Sequence, residues 1–242
     1  MNSIVMKKNR FTSRLFSNKN ILLLSSVSFI ILYGCSQYQY MSVNSHLYQD
    51  DKKEFVIEND TVSIKYAFAG ENFPITITLY NKLLQPVYFD VERSAVVINN
   101  YQVEGAFYVD GQINFISPLS YATIISNPLR DQFIKLNPND SLKNETIVPG
   151  MGKNHSFNEE TTPEHFRIIL ALTTNDDLSY PTFFDYSFWI SDIIQTYSYP
   201  KLISDKPSNQ FYIKKQTAFG KTLGWTGAIA LVVIGLAVGP VE

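Results

Sequence analysis

The sequence predicts an all-β domain of two packed antiparallel sheets, preceded by an export segment and followed by a transmembrane helix. Three observations lead there. Through the middle of the 242-residue chain, apolar and polar residues alternate with the period of two that sends successive side chains to opposite faces of a strand. The chain is rich in Phe and Tyr, with 17 and 15 respectively, which fit a pleated, half-buried surface. Two apolar runs, residues 21–33 and 222–241, bracket the alternating region.

At the start of the chain, Lys7, Lys8, Arg10, Arg14 and Lys19 lead into the first apolar run, and no acidic residue occurs before Cys35. That run is shorter than the roughly 17–25 residues a spanning helix needs, so residues 1–34 read as a secretory signal. It closes on Leu32-Tyr33-Gly34-Cys35, with a large apolar residue three before the cysteine and a small one directly before it. These residues resemble the signal and lipobox of bacterial lipoproteins, although Tyr33 is bulky for its place. The resemblance implies cleavage before Cys35 and lipidation of that residue, with acyl chains such as palmitate on its thiol and new amino terminus. More than one chain gives stable anchoring. Cys35 is the only cysteine, so the chain forms no internal disulfide. An uncleaved apolar anchor is the alternative reading.

Residues 35–54 read as a lipidated tether. Gln37, Tyr38, Gln39, Tyr40, Asn44 and Ser45 precede Asp50-Asp51-Lys52-Lys53-Glu54 without a core-like period. All 22 acidic residues follow residue 35, whereas five of the 20 basic ones precede it, so the exported part is acidic. Without a basic, aromatic stripe to follow a phosphate backbone, it has no nucleic-acid partner.

The domain itself is expected over residues 55–215, long enough to bury one core. Val62, Ile64 and Tyr66 share one side of a strand, and a turn is expected at residues 69–72. Ile75, Ile77 and Leu79 then alternate with Thr76, Thr78 and Tyr80. Pro86 opens a strand carrying Val87, Phe89 and Val91 on one face. Further strands are expected at residues 96–98, 105–109, 121–125, 132–136, 166–172, 183–190 and 211–214, with a short helix or strand near Thr162-Pro163-Glu164-His165-Phe166. Eight or more short strands fit two packed sheets, with a closed barrel as the alternative.

Residues 74–81 followed by 86–90 resemble the paired strands of immunoglobulin-like envelope domains of the Bacteroidota type. This resemblance implies an immunoglobulin-like antiparallel β-sandwich. The two cysteines of the antibody pattern are absent.

The sequence offers no catalytic, cofactor-binding or metal-binding motif. His46, His155 and His165 do not have a metal-ligand spacing, and Glu164 beside His165 does not by itself make a site. Asp50-Asp51, Glu159-Glu160 and Asp176-Asp177 read as solvated loop charges. There is no nucleophile elbow. The aromatic stretch at residues 180–189 reads as a strand burying Phe184, Tyr186 or Phe188, with binding of a partner or a glycan as the functional alternative.

Residues 216–242 are expected to form the transmembrane segment. No charged side chain occurs over residues 222–241, and twenty residues at about 1.5 Å each reach about 30 Å. Gly224 and Ala228, then Gly235 and Gly239, set small residues four apart, where an envelope protein or a second copy of the chain packs closely. The expected partners are therefore membrane lipid, through Cys35 and residues 222–241, and a helix-packing protein. Together these features describe a non-catalytic lipoprotein anchored at the bacterial cell membrane with its main domain in the periplasm. Outer-membrane sorting stays open. The expected role is interaction or assembly; an envelope hydrolase or a glycan-binding protein with a site formed by distant residues is the alternative.

Overall fold

A computed structural model describes residues 36–107, 115–136, 142–143, 153–197 and 207–216. Gln37–Lys215 form a compact unit. The described residues contain strands and no helix. In chain order they are β1 (Ser36–Asn44), β2 (Tyr48–Gln49), β3 (Phe55–Glu58), β4 (Val62–Ala67), β5 (Gly70–Glu71), β6 (Thr76–Asn81), β7 (Val87–Ile98) and β8 (Tyr101–Val103). Then follow β9 (Phe115–Ile116), β10 (Tyr121–Ile125), β11 (Leu142–Lys143), β12 (Lys153–Ser156), β13 (His165–Thr173), β14 (Thr182–Thr196) and β15 (Gln210–Gln216).

The strands divide between two sheets. The smaller runs β10-β6-β4-β3-β2, and the larger runs β5-β15-β1-β14-β13-β7-β8, with β9 beside β7 and β12 and β11 beyond the far half of β14. Alternation dictates which faces meet. Val62, Ile64 and Tyr66 of β4 and Ile77 and Leu79 of β6 are buried, as are Phe166, Ile168 and Leu170 of β13. Phe188 of β14 joins the sheets. Its ring centroid lies 5.4 Å from Phe55 and Tyr66 and 5.3 Å from Phe68 on the opposing side, and 5.4 Å from Phe166 beside it. The first three contacts are edge-to-face and the last is stacked, and ring pairs at these spacings add to the stabilisation from burying their area.

β14 is the spine of the larger sheet. Its first half pairs with β13, its second half with β12, and its opposite edge with β1. β1 in turn lies beside β15. The Val43 amide donates to the Asn209 carbonyl at 2.8 Å, and the Tyr40 and Tyr212 rings are 5.8 Å apart, so numbers rise on one strand as they fall on the other. β1 and β15 are therefore antiparallel, and Ser36 and Gln216 come to the same end of the sheet.

Several expectations are corrected. Among the described residues no helix is long and apolar enough to cross a membrane, which overturns the all-β fold with a C-terminal transmembrane helix; residues 222–241 lie outside the described residues. The sheets are not wholly antiparallel, because β15 and β5 pair in parallel, Phe211 with Gly70 and Tyr212 with Glu71. Residues 36–44, expected within the tether, form the interior strand β1, where Tyr38, Gln39, Tyr40, Met41 and Val43 are buried. Their alternation is hidden because both faces of β1 are covered, so polar and apolar positions bury alike.

Smaller differences have local causes. β7 continues through residues 96–98, because a bulge at Asp90–Ser94 takes up the irregularity: Ser94 Oγ donates to the Asp90 carbonyl at 2.6 Å and accepts from the Ala171 amide at 2.9 Å. Residues 104–107 turn instead of extending. Residues 132–136 form no strand, yet Ile134 is held by the buried Gln39 side chain, which donates to its carbonyl at 3.0 Å and accepts from its amide at 2.7 Å. The Thr162–Phe166 region contains no helix, and strand begins at His165.

Candidate functional site

The end of the domain opposite Ser36 carries a cleft of about 250 Å³. One wall is the β3–β4 turn, where Asn59 Oδ1 accepts from the amides of Thr61 and Val62 at 2.8 and 2.7 Å. Such a side-chain bond to the backbone two residues on is what suits Asn to turns. Its floor includes Leu83 and Val87. Both lie close to the buried Asn81, whose Nδ2 reaches the carbonyls of Gln85, Ile116 and Ser117 at 2.8, 3.1 and 3.1 Å.

The other wall is the β13–β14 connection. Thr173 Oγ1 donates to the Ser179 carbonyl at 2.8 Å, and Asn175 Nδ2 donates to the same carbonyl at 3.0 Å. The Ser179 hydroxyl, together with the Ser179 amide that donates to Asp177 Oδ1 at 2.8 Å, holds the Asp177 carboxyl below the ordinary carboxylate range. Arg93 donates to the Leu178 carbonyl at 3.0 Å. The loop so fixed places Leu178 and Tyr180 at φ of 58° and 50°, a left-handed conformation uncommon for bulky residues. Tyr180 is 91% exposed at the rim, and Leu84 and Phe183 are also exposed. No charged side chain is among the residues lining this cleft.

The sites weighed from sequence are dispersed. Cys35, and the small residues Gly224, Ala228, Gly235 and Gly239, lie outside the described residues. Glu164 is buried and ion-paired with Arg130, while His165 beside it is exposed on β13. Adjacent strand residues point to opposite faces, so the two do not converge. His46 is exposed, 2.8 Å from Glu159, with its ring 5.1 Å from that of Trp189. His155 is buried in β12, and its Nδ1 lacks a hydrogen-bond partner. Among the described residues no three metal-ligating side chains gather. Asp50 pairs with Lys65 at 3.0 Å; Asp176 is exposed. In the aromatic stretch Phe184 and Phe188 face the core, whereas Tyr180 and Phe183 face solvent.

Sequence reading had Tyr180 within an aromatic run but missed the Asn59 turn and the Thr173–Ser179 loop as its partners. They lie far apart in the chain, and the only local signal was a turn composition at each. No protein-family model, no curated protein and no solved structure matches this chain. The resemblances to lipoprotein signals and immunoglobulin-like domains therefore gain no support from that side.

Proposed function

We propose that this chain is a non-catalytic lipoprotein of the bacterial envelope, anchored through Cys35, whose β domain is an interaction module working from the end farthest from the anchor. The observation that carries this reading is the run of β14. Thr196 at one end pairs with Tyr38, three residues past Cys35, and Thr182 at the other end lines the cleft. A strand of 15 residues, rising about 3.3 Å each, separates the two ends by roughly 45 Å. Thr196 and the cleft thus lie at opposite ends of one strand.

Several features at the anchor end support attachment there. Lys135, Lys214 and Lys215 are exposed, and Lys215 Nζ lies 5.8 Å above the Phe133 ring. Lysines beside an acylated residue favour anionic head groups by about 1 kcal/mol each. The decisive experiment is expression of the full chain in a lipoprotein-processing bacterium, followed by membrane fractionation and mass analysis of the mature amino terminus. A membrane-bound product beginning at acylated Cys35, and loss of acylation in Cys35→Ser, are expected. A soluble, unlipidated mature protein would sink the reading.

A further inference from the structure

The cleft opposite the anchor combines three properties that narrow its ligand. The first is charge. None of the residues lining the cleft carries a charged side chain; the nearby Asp177 and Arg93 are bonded within the loop. An ionised ligand group settling there would lose water without gaining a counter-charge, a desolvation loss that neutral ligands escape.

The second is the mixture of surfaces. Asn59 spends its oxygen on the turn, while its Nδ2 hydrogens, and the hydroxyls of Thr61 and Thr182 on facing walls, have no intramolecular partner among the described residues. Leu83, Val87 and Leu172 supply apolar area between them. A ligand that matches must carry hydroxyls around its edge and C–H groups on its faces.

The third is the ring at the rim. Tyr180 is held out by a loop in which Leu178 and Tyr180 itself take the strained left-handed conformation. The Thr173, Asn175 and Asp177 bonds to Ser179 offset that strain. A ring at 91% exposure contributes little to the core. Fixed in advance, the ring loses little freedom when a flat apolar face covers it.

We propose that this cleft binds a neutral saccharide, with one sugar ring stacked on Tyr180 and its hydroxyls bonded to Asn59, Thr61 and Thr182. The volume of about 250 Å³ lies near the lower end of small-ligand pockets, which suits a short stretch of a chain entering from the open rim. The inference rests on the reading of the domain as a binding module and not on anchorage at Cys35. Fractionation and saccharide titration therefore fail independently.

The test is calorimetric titration of the full chain in detergent micelles with maltotetraose, cellotetraose and the tetramer of N-acetylglucosamine. Saturable binding of at least one is expected, weakened about tenfold or more by Tyr180→Ala and kept within about threefold by Tyr180→Phe. Raising salt tenfold should leave the affinity unchanged, because no charge is paired. Both variants should melt with the parent, since the side chain is exposed. Three results would overturn the proposal: no saturation by any of the three sugars at about 10 mM, binding that Tyr180→Ala leaves intact, or affinity that falls steeply with salt.

Discussion

Tyr66 shows how much a single atom decides in a core built from rings. Its side chain is fully buried among Phe188 and Tyr186, yet its hydroxyl has no hydrogen-bond partner, and burial pushes its ionisation far above the usual phenol range. An unpaired buried hydroxyl costs free energy, whereas a phenyl ring in the same place does not. Tyr66→Phe should therefore raise unfolding stability by about 1 kcal/mol, read as a higher denaturant midpoint with an unchanged slope. Asp50 shows the opposite case. Burial alone would raise its carboxyl, but the Lys65 hydrogen bond and charge, with the amides of Glu54 and Lys52, outweigh that and hold it below 3.8. A folded-state value below the unfolded one means that the contribution is complete above pH 3.8 and disappears as pH falls through the depressed value. Comparing Asp50→Asn with the parent across that range should show a stability gap at neutral pH that closes in acid. Neither side chain announces this in the sequence. Tyr66 reads correctly as buried from its alternation with Ile64, but whether its oxygen finds a partner depends on β14, more than a hundred residues away.

Among the elements, β14 does most to hold the fold together. Phe188 touches Phe55, Tyr66, Phe68 and Phe166, so it serves both sheets. Phe188→Ala should cost about 3–5 kcal/mol in a denaturation experiment, the range for removing a large buried ring and leaving a cavity. Strands with one wet face were legible, and β4, β6, β10 and β13 fall where alternation puts them. β1 was not, because a strand covered on both sides loses the alternating signal. β5 was also hidden: it is two residues long, and its Gly70 at φ 151° sits where an added Cβ would meet Pro74 Cγ at 2.5 Å. The sequence marks that glycine as a turn; only the parallel partner β15 makes it a strand. The cleft was illegible for a related reason, since its walls come from two turns brought together by the pairing of β7 with β13.

At the scale of the whole molecule, both ends of the described domain leave from one side, because β1 and β15 are antiparallel neighbours. Adjacency of this kind has a mechanical consequence. Force applied between residues 36 and 216 would load the bonds joining these two strands in turn, each breaking before the next bears tension, as a zip opens. Force applied between residues 36 and 180 would instead run along β14 and β1, straining their many cross-strand bonds together. Forced unfolding follows the barrier along the pulled direction. Optical-trap handles at residues 36 and 216 should therefore open the domain at clearly lower force than handles at residues 36 and 180. A domain of this build yields readily when its two ends are drawn apart and resists when its far tip is tugged away from its base.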